Sequence, residues 1–135
     1  MEDIGLPYTT KKKLEADVSE ALIKFQRELI GRGPQEAKTY IMRDMVITRF
    51  KGVLTVEEKH LVERDDGRKL VKHMRQLLRE MYSAKYEEII EGLTGCKVLS
   101  SHSDISTKTG ERIEMFIMDQ DLERLMEAAC PSQGE

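Results

Sequence analysis

The spacing of apolar residues changes between two periods along the chain, and this change limits the folds that are possible. From Lys11 to Ile30 the apolar positions lie on one arc of a helix, and they are Leu14, Val18, Ala21, Leu22, Phe25 and Leu29. The following Gly31-Arg-Gly33-Pro34 predicts that this amphipathic helix ends at a glycine. Elsewhere, β-branched and aromatic residues alternate with polar ones, as is typical of strands. A mixed helix and strand fold is therefore expected.

The first strand-like stretch, Ala37 to Lys51, predicts a hairpin with strands at roughly 38–42 and 45–51 and a turn at Arg43-Asp44. In that register the apolar residues divide between two strand faces, with Tyr40, Met42, Met45 and Ile47 on one and Ile41, Val46 and Phe50 on the other. Because both faces are partly apolar, either the register is wrong or both faces are covered, for example by a second subunit.

A second hairpin is expected nearer the C-terminus. Its strands run from Cys96 to His102 and from Glu111 to Met118, and a polar loop from Ser103 to Gly110 joins them. The alternation in the second strand predicts an inward and an outward set, namely Ile113, Met115 and Ile117 inward and Arg112 and Glu114 outward. Asp119 is then expected to cap a closing helix, whose apolar residues are Leu122, Leu125 and Met126.

Two further helices are predicted between the hairpins. Gly52 ends a strand, and Thr55 with Glu58 forms a capping box for a short helix from Val56 to about Glu63, with Leu61 inward. The aspartates of the Arg64–Gly67 turn are expected to cap a long helix from about Gly67 to Glu91. Its apolar stripe begins as Leu70, Met74, Leu77, Leu78 and Met81 and then rotates to Tyr82, Tyr86, Ile89, Ile90 and Leu93. This rotation predicts different neighbours for the two halves, one the sheet and the other the first helix or a partner subunit.

The predicted element order is αββααββα, which indicates an α+β fold with a mostly antiparallel four-stranded sheet packed by helices. With 135 residues, the chain is expected to form one domain, with loose tails at residues 1–10 and 130–135. This length is sufficient for a hydrophobic core without metal or disulfide support.

Charge and cysteine content narrow the function classes. The net charge is −3, from 22 basic and 25 acidic residues spread along the chain, which argues against nucleic-acid binding. The two cysteines, Cys96 and Cys130, form no motif and are typical of a reducing compartment. The N-terminus has no signal-peptide pattern, and no apolar run reaches ~18 residues. We expect a cytoplasmic protein that does not insert into a membrane.

The candidate reactive residues do not form a catalytic set. Cys96 and His102 share a strand face but lie some 20 Å apart at ~3.3 Å per residue, too far for nucleophilic catalysis. His102 and Asp104 lack a third metal ligand. We therefore predict no catalytic, cofactor-binding or metal-binding residues. Arg75, on the long helix, is expected either to bridge to Glu58 or Asp104 as a structural ion pair or to bind an anion or partner.

Several short motifs together resemble the MpsC family over roughly residues 14–118. They are Gly31-Arg-Gly33-Pro34, Gly52-Val-Leu-Thr55 followed by Glu58 and Leu61, then Gly67, Val71 and Arg75, and finally Gly95, Val98 and Ser103-Asp104. The resemblance implies a small soluble protein associated with a membrane system for ion or inorganic-carbon handling. It supplies no catalytic residues.

Two functions follow as expectations. The first is a non-enzymatic accessory or regulatory protein of a membrane ion or inorganic-carbon transport system, acting as a homodimer and with a possible membrane-protein partner. The second is a small-ligand-binding sensor or enzyme with a pocket near Thr55, Arg75 and Asp104. In both, the ligand or partner surface is expected among Thr55, Glu58, Arg75, Ser103 and Asp104.

Overall fold

The structure, a computed structural model, describes residues 10–129. Its elements are α1 (Lys11–Ile30), β1 (Glu36–Met42), β2 (Met45–Lys51), α2 (Val56–Leu61), α3 (Asp65–Met81), α4 (Ser83–Thr94), β3 (Val98–Ser106), β4 (Glu111–Met118) and α5 (Leu122–Ala129). The α+β class and the predicted order are confirmed, except that the expected long helix is divided into α3 and α4. The predicted tails lie outside the described residues apart from Thr10, whose side chain caps α1 by accepting from the Lys13 backbone N–H.

The division at Tyr82 has a local cause. Tyr82 has φ −113° and ψ 18°, outside the helical region. Next to it, the Ser83 hydroxyl donates to the Arg79 carbonyl at 3.2 Å and so competes with the helical hydrogen-bond ladder. Beyond this point α4 packs against α1, where Phe25 meets Tyr86 edge-on at a centroid distance of 5.0 Å. This confirms that the second half of the expected helix packs on the first helix.

The four strands form one antiparallel sheet in the order β1-β2-β4-β3. Met42 pairs with Met45 across the turn at Arg43-Asp44, so the predicted register of the first hairpin is confirmed. Arg43 has φ +56°, as a tight two-residue hairpin turn requires.

One face of this sheet is covered and the other is open. Ile41, Val46, Phe50 and Phe116 are buried under the helices, in one core with the inner faces of α1 and α4. On the opposite face Tyr40 is 45% exposed and Met42 is 51% exposed. The predicted register of the first hairpin is therefore correct. The second face of the sheet is not buried by any part of residues 10–129.

Strand β4 is turned over relative to the prediction. Arg112 and Glu114 lie on the buried face, whereas Ile113 is 36% exposed and Met115 and Ile117 are half-buried. The alternation was correct but the inward set was wrong, because ion pairs described below offset the cost of burying charge. The loop prediction for Ser103 and Asp104 was also wrong, since β3 extends to Ser106 and pairs them with Glu114 and Ile113.

Helix α3 is likewise turned over. Four of the five residues of the expected inward stripe face outward, with Leu70 58%, Met74 45%, Leu77 51% and Met81 66% exposed, whereas Leu78 is half-buried. The buried side of the helix instead carries Gly67, Val71, Arg75 and Arg79. Burial of the apolar stripe, as implied by the sequence, was therefore wrong for these four residues. The helix uses its charged side to pack against the domain.

Three smaller expectations also differ from the structure. Leu61, the last residue of α2, is 40% exposed, and the next residue, Val62, packs against the core instead. The aspartates before Gly67 lie inside the first turn of α3, which has Arg64 at its N-cap and no side-chain cap. Asp121, not Asp119, caps α5, since its Oδ1 accepts from the Arg124 N–H at 3.1 Å.

Candidate functional site

The two glycine-containing motifs meet at one corner of the fold. Gly52 has φ +68°, which turns the chain sharply out of β2. Arg32, immediately after α1, donates from its guanidinium to the carbonyl oxygens of Gly52 and Leu54. The motif after α1 therefore stabilises the backbone of the strand-to-helix corner.

A buried ion pair lies directly under this corner. Arg75 donates from Nε to Glu58 Oε2 at 2.9 Å and from Nη2 to Glu58 Oε1 at 2.6 Å. Arg75 Nη2 also donates to the Val53 carbonyl at 2.7 Å, and both charged side chains are about 5% exposed. We call Glu58, Arg75 and the Val53 carbonyl the closed network. The prediction that Arg75 forms a structural ion pair with Glu58 is confirmed.

Glu58 has a second role in the same network. It forms the predicted capping box, since its Oε1 accepts from the Thr55 N–H at 2.8 Å and its own N–H donates to Thr55 Oγ1 at 3.1 Å. Burial alone would raise the pKa of Glu58. The hydrogen bonds from Arg75 and from the Thr55 backbone outweigh burial, so the pKa lies below its ordinary value. Glu58 is therefore held as a carboxylate.

The close approach of α2 and α3 depends on Gly67. A Cβ atom at this position would overlap the backbone carbonyl of Leu61, which cannot move aside as a flexible side chain can. Gly67 is consequently required for the reversal that brings Arg75 over Glu58.

A second buried network lies one helical turn further along α3. Arg79 Nε donates to Glu114 Oε1 at 2.9 Å, and Arg112 Nε donates to Glu114 Oε2 at 3.1 Å. The Ser103 hydroxyl donates to the same Oε2 at 2.9 Å. Arg79 also donates from Nη1 to the Ser83 hydroxyl at 2.8 Å. We call Arg79, Arg112, Glu114 and Ser103 the open network, because its charges do not balance.

Two guanidinium groups share one carboxylate in the open network. Glu114 is fully buried, while Arg79 is 6% and Arg112 is 5% exposed. Arg79 Nη2 has no hydrogen-bond partner, and among residues 10–129 it is the only buried side-chain nitrogen or oxygen atom in this condition. The Arg79 Cζ atom also lies 4.1 Å from the centroid of the Tyr86 ring. Burial raises the pKa of the Tyr86 phenol, which therefore stays neutral. The open network therefore contains two buried positive charges and one buried negative charge.

The open network borders a cavity of about 220 Å³. Arg79, Arg112 and Ser103 line it, together with Lys72 and Asp104 at its rim. Lys72 Nζ lies 3.5 Å from Asp104 Oδ1, and both side chains are at least half exposed. The cavity therefore carries exposed charged groups at its mouth and buried guanidinium groups inside.

The expected site residues divide between the two networks. Thr55, Glu58 and Arg75 meet in the closed network, where their hydrogen bonds are used, whereas Ser103 and Asp104 line the cavity of the open network. The residues that sequence reasoning missed are Arg79, Arg112 and Glu114. A signal was present: Gly67, Val71, Arg75 and Arg79 recur every four residues and form a second row on α3, beside the apolar stripe.

The residues that the structure describes contain neither a cluster of metal-ligating side chains nor a membrane-spanning helix. Between residues 10 and 129, no three His, Cys, Asp or Glu side chains are placed so that they could hold a metal ion. None of the helices in this range is both long enough and apolar enough to cross a membrane.

Comparison with known proteins gives one family and two relatives. The model of the MpsC family, described as "Na+-translocating membrane potential-generating system (MpsC)", matches residues 10–120. The uncharacterized protein YbcI of Bacillus subtilis (strain 168) is 36% identical over 118 residues, covering 87% of this chain and 95% of YbcI. The uncharacterized protein YrhF of the same organism is 26% identical over 113 residues, covering 83% of this chain and 93% of YrhF. No solved structure matches the chain significantly. The family match spans most of the chain, with both networks inside it, and the chain therefore belongs to the MpsC family.

Proposed function

We propose that this protein is a soluble, cytoplasmic accessory or regulatory subunit of a Na⁺-translocating membrane system, that it works by binding rather than by catalysis, and that it acts as a homodimer. The family description supports the link to a membrane potential-generating system. The outward apolar stripe of α3 supports a role in protein–protein contact, and it is the observation that carries this proposal.

The stripe has the properties of an interface rather than of scattered surface residues. Leu70, Met74, Leu77 and Met81 are each at least 45% exposed, and they are spaced by four, three and four residues on one helix. This is the spacing of the seam along which two helices pack in a coiled coil. A contiguous exposed apolar surface of this kind marks a binding site in soluble proteins.

The occupant that best fits the stripe is a second copy of the same chain. Lys69 and His73 flank the first half of the seam, and Glu80 flanks the second half. If two copies of α3 pack antiparallel about a two-fold axis, Glu80 of each copy lies opposite the basic flank of the other. Each Leu also packs opposite a Met, which fills an irregular interface well. The seam is thus complementary to itself.

The functional test uses the membrane potential of living cells. In a host that carries the gene, deletion should lower the Na⁺-dependent part of the potential measured with a voltage-sensitive dye, and the wild-type gene should restore it. Leu77→Glu should fail to restore it. Val56→Glu is the matched control, because Val56 is also apolar and is 64% exposed, but it lies on α2 outside the stripe. A deletion that leaves the Na⁺-dependent potential unchanged would refute the proposal.

A second candidate function, a sensor for a small ligand, is favoured by the cavity beside the open network. The ligand pocket expected among Thr55, Arg75 and Asp104 then shifts along α3, since Asp104 lines this cavity whereas Arg75 is engaged by Glu58. The two functions are compatible, because α3 presents the seam on one side and the cavity-lining Arg79 on the other.

A further inference from the structure

The cavity beside the open network lies between the second half of α3, the start of α4 and strands β3 and β4. Its inner wall is formed by Arg79, Arg112 and three serines, Ser83, Ser101 and Ser103. The wall is therefore polar, although it borders the hydrophobic core.

The buried charge of this wall is not balanced by buried carboxylates. Each buried guanidinium carries a positive charge, and only Glu114 is paired with the two of them. Leaving a buried charge uncompensated is costly, and Arg79 Nη2 additionally has no acceptor. The closed network shows that this chain satisfies a buried arginine when the role is purely structural. A negatively charged group in the cavity would supply the missing charge.

The donors that remain free are cationic. The Ser103 hydroxyl donates to Glu114, and the Ser101 hydroxyl donates to Glu87 at 2.7 Å, so these serines offer oxygen atoms rather than protons to the cavity. The Arg112 guanidinium, which donates to Glu114 and Ser103 only through Nε, and the Lys72 ammonium at the rim can still donate. A ligand must accept several hydrogen bonds from cations, which indicates an oxoanion.

The size of the cavity and its rim limit the ligand further. A volume of about 220 Å³ is below the usual ~300–1,000 Å³ of pockets for drug-sized molecules and cofactors. The acidic rim residues, Glu80 and Asp104, are both exposed. Lys72 can turn towards the cavity if its ion pair with Asp104 breaks, and an exposed ion pair of this kind contributes little free energy. A small anion fits this arrangement, whereas a nucleotide does not.

We propose that this cavity is a binding site for a small oxoanion, held by Arg79 and Arg112 on the inside and by Lys72 at the rim. The anion neutralises the excess positive charge and accepts hydrogen bonds from the Arg112 guanidinium and from the Lys72 ammonium. This site goes beyond the accessory function, and it is tested on the purified protein alone, so that either proposal can fail without the other.

The test is thermal unfolding of the purified full chain with sodium phosphate, sulfate and acetate, each compared with sodium chloride at equal ionic strength. An anion present at one hundred times its dissociation constant should raise Tm by about 10 °C. Lys72→Ala should raise the dissociation constant about tenfold, because it removes one charge-assisted hydrogen bond. Arg79→Lys keeps the charge and removes the planar guanidinium that lines the cavity, and it should weaken binding at least as much. Lys59→Ala, an exposed lysine on α2, is the matched control and should respond as the wild type does.

Several outcomes decide the question. A larger rise in Tm with phosphate and sulfate than with acetate would support the site and assign a tetrahedral ligand. A larger rise with acetate would also support the site and would assign a planar ligand. No response beyond that of chloride would mean that water alone fills the cavity, and it would overturn the proposal. Equal responses of wild type, Lys72→Ala and Arg79→Lys would show general salt stabilisation and would overturn it too. Since Lys72 is exposed, its variant keeps the test valid even if Arg79→Lys fails to fold.

Discussion

Two arginines one turn apart on α3 are both buried, yet they are satisfied in different ways. Arg75 has Glu58 to itself and also donates to the Val53 carbonyl. Arg79, which lines a cavity, shares Glu114 with Arg112, and its buried Nη2 has no acceptor. The difference teaches that burial of charge alone does not indicate a binding site. The closed network fixes the corner between β2 and α2, and the open network has charge available for a ligand.

Removal of the closed network should give the largest effect on stability. Arg75→Met leaves Glu58 buried without a counter-charge, and it should lower the free energy of unfolding by about 3–5 kcal/mol. Arg79→Met leaves Glu114 paired with Arg112 and should cost only about 1–3 kcal/mol. Urea denaturation followed by circular dichroism measures both values. Equal losses in the two variants would contradict the division into a closed and an open network.

The close approach that builds the closed network can be disturbed through Gly67. Gly67→Ala forces the chain away from the Leu61 carbonyl and should destabilise the protein by about 1–3 kcal/mol. The matched control is Gly92→Ala in α4, where nothing lies within 4 Å of the added Cβ. Because alanine favours the helix, Gly92→Ala should be neutral or stabilising by up to about 1 kcal/mol. A tolerated Gly67→Ala would show that α2 and α3 need not pack this closely.

The same comparison explains what sequence patterns could and could not predict. Local signals act over a few residues, so they correctly predicted α1, the turn at Arg43-Asp44 and the capping box of Thr55 and Glu58. Alternation in β4 showed which residues share a face, but not which face is inside. Arg112 and Glu114 are buried because distant Arg79 completes their ion pairs, and this compensation cannot be deduced from β4 alone.

For α3, the amphipathic pattern was correct and its interpretation was wrong. A stripe of leucine and methionine normally faces the core of the same chain. The amphipathic pattern alone does not distinguish such a stripe from one that contacts a partner. The helix instead buries Val71 and two arginines, which the carboxylates of Glu58 and Glu114 make possible. Apolar residues that face outward over a charged inner side are therefore the clearest sign of function in this chain.

A smaller effect is expected from pH, and it should appear in the closed network. The folded pKa of Glu58 is lower than its ordinary value of 4.5, so the unfolded chain takes up the proton first as pH falls. The stability that this group contributes is complete above pH 4.5 and is lost as pH falls through the folded pKa. Urea unfolding between pH 7 and 3 should therefore show the wild type converging on Glu58→Gln. Glu57→Gln, which removes an exposed neighbouring carboxylate, is the control. At neutral pH its free energy of unfolding should stay apart from that of Glu58→Gln.

The central claim is that α3 turns its charged side inward so that its apolar stripe can pair with a second copy. Sedimentation equilibrium of the wild type, Leu77→Glu and Val56→Glu at micromolar concentrations tests this most directly. The account predicts twice the mass of one chain for the wild type and for Val56→Glu, and the mass of a single folded chain for Leu77→Glu. A monomeric wild type, or a Leu77→Glu variant that remains dimeric, would contradict it.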